Sequence, residues 1–142
     1  MNNGCLYISY DGILEPLGQS QVLTYLERLS EERPIHLISF EKPSDKKDRI
    51  LYEKVVERVN KANIQWHPQT YHKSPTAIAT LWDIFYATIL GFWLIKKYNL
   101  KIVHARSYVA SVSALVLKKI FGICFIFDIM LQKILHFLYF SM

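Results

Sequence analysis

The sequence predicts an α/β fold, a doubly wound parallel sheet of five strands with helices on both faces, and three observations predict it. Five short apolar runs alternate with longer segments of helical periodicity, which is the pattern of repeated strand–helix–strand units. Most of these runs are dominated by Ile, Val, Leu and Phe, as strands covered on both faces should be. The first run, Cys5 to Tyr10, passes through a loop holding Gly12, Pro16 and Gly18 into an amphipathic helix. Glycines let such a loop approach a ligand closely, and the helix start offers unpaired N–H groups to an anion.

Taken in order, the first helix shows Val22, Leu26 and Leu29 at helical spacing, with Glu27, Arg28, Glu31 and Glu32 on its other faces. Pro34 permits an extended start to a second strand, Ile35 to Phe40. A charged helix is expected from Ser44 to Asn63, capped by Ser44, with Leu51, Val55, Val59 and Ala62 as its buried stripe. Ile64 to His67 reads as a short third strand and Pro68 to Lys73 as a loop. Ser74-Pro75 then reads as a helix start, a cap followed by proline at the first helical position.

From Ala77 to Ile95 that helix is nearly all apolar, with Asp83 its only charge. Its length approaches a membrane span, but a mid-helix carboxylate is costly in lipid. A buried or interface-lying helix is therefore expected, closed by Lys96, Lys97 and Asn99. Lys101 to Ala105 is the fourth strand. The next helix sets Val109, Val112, Val116 and Ile120 on one face and stops at Gly122. Ile123 to Phe127 is the fifth strand, expected to be buried on both faces. Right-handed crossovers make the order 3-2-1-4-5, a Rossmann-like arrangement whose first and fourth strands end side by side at the switch point.

Composition sets bounds. A chain of 142 residues with 51% hydrophobic content can bury a real core, which excludes a disordered tail. The net charge of +5 suits anionic ligands, an acidic membrane surface or nucleic acid, and no stretch resembles a nucleic-acid module. Cys5 and Cys124 fall in strands with another strand between them, roughly 10 Å apart. A disulfide cannot span that distance, and both are expected as buried thiols in a reducing compartment. Met1 to Tyr10 carries no basic leader, so a cytoplasmic location is expected. His36, His67, His72 and His136 lack metal-ligand spacing, so no metal is expected and these histidines read as structural or surface residues. Glu41 ends the second strand where a dinucleotide enzyme places its ribose-binding acid, but the preceding loop lacks G-x-G-x-x-G spacing.

The run Tyr10-Asp11-Gly12, then Pro16-Leu17-Gly18-Gln19-Ser20-Gln21-Val22-Leu23, resembles the N-terminal domain of family 4 glycosyltransferases, which are retaining enzymes of the two-domain GT-B architecture. His36 to Lys42, Ile102 to Tyr108 and Phe125 to Asp128 agree with it, so the resemblance covers residues 5–128. It implies that residues 1–128 form the acceptor-side half of an enzyme moving a sugar from a nucleotide-sugar donor to a sugar or lipid-linked acceptor, as in cell-surface polysaccharide synthesis. It implies no cofactor, since the nucleotide-sugar is a substrate. It implies also that the donor-binding domain, with its paired glutamates, is missing, so that this piece alone is inactive.

In relatives the strand ending Phe-Asp continues into an Arg-Gly-Phe-Trp type segment, whereas Ile129-Met130-Leu131-Gln132-Lys133 follows here. Residues 129–142 accordingly read as an aberrant apolar tail, either the product of a frameshift or truncation or a divergent terminal helix. Gly18 is the foremost substrate-binding candidate on the resemblance, with Gln19 and Ser20 at the helix start and Arg106 as a fork for phosphate. The resemblance makes His104 a contact to the donor sugar near the reacting centre. Gly12 reads as a turn residue and Asp128 as a strand-end carboxylate of lower rank. The apolar Ala77–Ile95 helix and its lysines predict peripheral contact with the inner face of the membrane.

Overall fold

A computed structural model describes residues 3–128 of the chain. Its strands are β1 (Cys5–Ser9), β2 (Ile35–Glu41), β3 (Gln65–Thr70), β4 (Ile102–Arg106) and β5 (Cys124–Asp128). All pair in parallel in the order β3-β2-β1-β4-β5, as expected. Alternation along β1 turns Cys5 and Tyr7 to one face and Leu6 and Ile8 to the other. On the first face these residues pack with Leu23, Leu26, Val55 and Val59. Leu23 belongs to a π-helical turn, Gly18–Leu23, that runs on into α1 (Thr24–Leu29); the two valines belong to α3 (Arg49–Lys61). On the second face Ala87 and Leu94 of α4 (Thr76–Tyr98) and Ala114 and Leu117 of α5 (Tyr108–Phe121) cover Leu6, Ile8 and Val103.

The structure corrects several local expectations. The charged helix is broken into α2 (Pro43–Lys47) and α3 at Asp48, which is extended and accepts the Leu51 N–H at 3.1 Å. Asp48 thus supplies the cap, whereas Ser44 turns its hydroxyl to Asp45. Strand β3 continues through Pro68 to Thr70. Proline is admitted there because β3 is the outermost strand on that side of the sheet and needs no outward N–H. Pro75 stands in an extended conformation just ahead of α4, and Ser74 does not cap it.

Helix α5 is turned relative to the reading of its sequence. It buries Ala110, Ser113, Ala114 and Leu117, while Val112, Val116 and Ile120 face outward. The cause is its close approach to α4. A Cβ on Gly91 would lie 2.6 Å from Leu117 Cδ1, and the Ser113 hydroxyl donates to the Ile84 carbonyl at 3.1 Å. Gly91 makes room there for Leu117, and the small Ala110, Ser113 and Ala114 let the helices approach. Asn99 and Gly122 end α4 and α5 in the left-handed conformation, as their sequence positions predict.

Strand β5 is less covered than expected. Ile126 is 42% exposed and Cys124 is exposed, so only Cys5 is a buried thiol, its pKa pushed up to about 12 by burial. Ile102 stands between the two cysteines in the register. The tail 129–142, including His136, lies outside the described residues.

Candidate functional site at the switch point

β1 and β4 are neighbours, so the loop after β1 and the turn after β4 open on the same edge of the sheet. The loop is held from beneath by Glu41. Its carboxylate, with no exposed surface, accepts the N–H groups of Ile13 and Leu14 at 3.0 Å each and the Ser39 hydroxyl at 2.5 Å. Burial pushes the Glu41 carboxyl above its ordinary pKa, while these donors pull it back toward the charged form. The residue in the ribose-binding position is thus an internal strut. Sequence reasoning missed this role because its donors are backbone groups 27 and 28 residues away.

Both loop glycines are forced by close approach. A Cβ on Gly12 would stand 2.5 Å from Glu41 Oε2, and one on Gly18 would stand 1.9 Å from the Gly12 carbonyl oxygen. Gly12 is therefore a packing glycine, and it does not take the positive φ of a turn. The helix after the loop opens as a π turn, in which the Gln19 carbonyl accepts both the N–H and the hydroxyl of Thr24. Such turns are frequent at functional sites. The Gln19 side chain ties back to the Leu14 carbonyl at 3.0 Å, and the exposed Ser20 hydroxyl bonds the Leu17 carbonyl at 3.2 Å.

Arg106 ends β4 almost fully buried. Its guanidinium donates to Gln21 and, at 3.4 Å, to Asp128, joining β4, β5 and the start of the first helix. With Asp11, Gly12, Glu15, Leu17, Gly18 and Val22 it lines a crevice of about 30 Å³, room for one water rather than a sugar. Ser107 follows at φ 88°, ψ 158°, a backbone region that is almost exclusively glycine's. Its hydroxyl accepts the Ala110 N–H at 3.4 Å, and it begins a helix whose N-terminus faces the same edge. Strained non-glycine residues of this kind cluster at active sites and ligand clamps.

His104 does not line that crevice. It lies beneath α1, its ring 4.6 Å from that of Tyr7 and 6.0 Å from that of Tyr25, and burial lowers its pKa so that it is neutral. The Tyr7 hydroxyl lies beside the Arg106 guanidinium, which partly offsets the rise in its pKa that burial causes, whereas His104 Nε2 is buried without a hydrogen-bond partner among the described residues. A buried polar atom of this kind is ordinarily met by water or a ligand. The strand alternation placed His104 and Arg106 on one face; the part played by Tyr7 carried no signal in its apolar run.

No protein-family model and no curated protein matches this chain. Solved structures do. A glycosyltransferase from Rickettsia africae ESF-5 superposes with a TM-score of 0.57 at 19% identity, over 89% of this chain and 30% of that one. The fold is glycosyltransferase-like. The protein described as AtPrR2 in apo form superposes with a TM-score of 0.51 at 9% identity, over 89% of this chain and 38% of that one. The chain thus spans well under half the length of either neighbour. Open parallel α/β sheets bind ligands at their carboxyl edge beside a switch point, and here that edge carries Gly18, Arg106 and Ser107. Among the described residues no cluster of His, Cys, Asp or Glu could hold a metal ion.

Proposed function

We propose that the chain is the acceptor-side domain of a retaining GT-B glycosyltransferase of the family 4 type. The single observation that carries this reading is the meeting of the glycine loop with Arg106 and Ser107 at the switch point of a glycosyltransferase-like fold. Residues 1–128 supply one wall of the cleft, and a donor-binding domain supplies the other. The sugar leaves its nucleoside diphosphate for an acceptor hydroxyl with retained configuration. Loop N–H groups and the start of α5 stabilise charge developing on the leaving diphosphate. Gly18, Gln19 and Ser20 shape that wall, Arg106 positions it, and His104 stands behind it as a neutral polar group toward the donor sugar.

The test begins with the DNA beyond codon 128. A frame encoding an Arg-Gly-Phe-Trp segment and a second α/β domain is expected. The chain joined to that domain should transfer labelled sugar from a nucleotide-sugar to a membrane extract, and the chain alone should not. Absence of such a frame, or a joined protein without transfer, leaves a non-catalytic remnant.

The outer face of α4 supports cytoplasmic, peripheral attachment to an anionic membrane. Helix α4 is long and apolar enough to cross a bilayer by length and composition, yet it packs on the sheet with a third of its most apolar stretch buried. Phe85, Ile89 and Trp93 remain exposed in one stripe. Residues 76–122 hold a single acid, the buried Asp83, against Lys96, Lys97, Lys101, Lys118 and Lys119. An apolar, aromatic face edged only by cations suits acidic lipid headgroups. Sedimentation with phosphatidylglycerol vesicles should carry the protein down, less so at high salt or in Phe85→Ser/Trp93→Ser. Full recovery in the supernatant would refute attachment.

A further inference from the structure

Asp83 is a buried carboxylate on an otherwise apolar helix, and an uncompensated charge there would be strongly destabilising. It is compensated by three donors. Oδ2 accepts the Tyr10 hydroxyl at 3.1 Å and the His72 backbone N–H at 3.3 Å, and Oδ1 lies 2.7 Å from His72 Nδ1. A carboxylate only accepts, so Nδ1 carries the hydrogen, and in a neutral imidazole that leaves Nε2 as an acceptor. The imidazole is half exposed at 49% and, with Asp83, lines a crevice of about 220 Å³ beside Phe40, Trp82 and Tyr86. Trp82 and Tyr86 are four residues apart on α4, hence on one face. Phe40 also borders a second crevice of about 300 Å³ with Tyr10 and Tyr71. Two nearby cations are engaged: Lys42 pairs with Glu15 at 2.9 Å, and Lys46 donates to the Thr70 hydroxyl at 3.0 Å.

Aromatic walls with a few directional polar atoms suit a ring that has an apolar face and a hydroxylated edge. We propose that this crevice binds a neutral hexopyranose, with Trp82 and Tyr86 against its face and His72 Nε2 accepting a hydrogen bond from one hydroxyl. Asp83 is the positioning residue that fixes the histidine tautomer. The transferase reading is needed only to make that sugar the acceptor; the binding itself belongs to this chain.

The full chain, labelled with ¹⁵N, is titrated with methyl glucoside, methyl galactoside and methyl mannoside. At least one should shift the amides of Gln69, Thr70 and His72 and the Nε2 resonance of His72. Trp82→Ala should abolish those shifts, and His72→Phe should weaken binding about tenfold, the worth of one hydrogen bond. Asp83→Asn should change the His72 tautomer ratio in long-range ¹H–¹⁵N spectra. Since Trp82 is exposed, its variant keeps the test valid even if the Asp83 variant does not fold. Saturating hexosides without these shifts would overturn the proposal, as would uridine producing them where hexosides do not. Sugar binding here without transfer by the joined protein would sink the transferase reading alone, and transfer without binding here would sink this one alone.

Discussion

Gly18 and Gly91 both lack a side chain where a neighbour comes too close, but the neighbours differ in kind. At Gly18 the obstacle is backbone, the Gly12 carbonyl at 1.9 Å; at Gly91 it is the tip of Leu117 at 2.6 Å, which can rotate away. Gly18→Ala should therefore cost about 3 kcal/mol in urea unfolding, the upper range for forced overpacking. Gly91→Ala should stay within about 1 kcal/mol of the parent, because alanine's helix propensity offsets the crowding. His36 supplies a pH signature. Its Nδ1 lies 3.3 Å from His67 Nε2, and burial, followed by the neighbouring His67, lowers its pKa from 6.5 to about 4. Between those values the unfolded chain takes up a proton that the folded one refuses, so stability should fall as pH drops from 6.5 to 4, by up to about 3 kcal/mol. The raised pKa of Glu41 acts in the opposite sense, so the comparison is with His36→Leu, whose slope should be flatter. An unchanged slope would refute the assignment to His36.

At the scale of elements, strand order was legible because alternation and handedness leave few topologies open, and the ends of α4 and α5 were legible because Asn99 and Gly122 announce them. What escaped were features decided by partners distant in sequence. The face of α5 was misread because hydrophobicity favours Val112, Val116 and Ile120, whereas the close approach to α4 selects the face that carries Ala110, Ser113 and Ala114, with Leu117 set over Gly91. Pro68 looked like a loop signal until β3 proved to be an outer strand. The same limit applies to the site. Strand order implied that Gly18 and His104 share the rim of one crevice; the structure brings Arg106 there instead, because His104, two residues earlier on β4, packs against Tyr7 and Tyr25. The Glu41 strut and the His72–Asp83 pair depend on side-chain geometry that no spacing rule contains.

Across the whole molecule the charges separate. Ten of the twelve acidic residues precede residue 58, while the α4–α5 side carries five lysines and no exposed carboxylate. Membrane attachment through that side would leave the carboxyl edge of the sheet free to meet a second domain. The central claim is that ligands act at this edge, between the loop after β1 and the turn after β4. Amide shifts of the ¹⁵N-labelled chain, joined to a donor-binding domain, during titration with a nucleotide-sugar test it most directly. The account predicts movement at Gly12, Gly18, Ser107 and Tyr108, with Gly4, Leu100 and Gly122 at the opposite edge unmoved. Shifts confined to that opposite edge, or none at the loop at saturation, would contradict it.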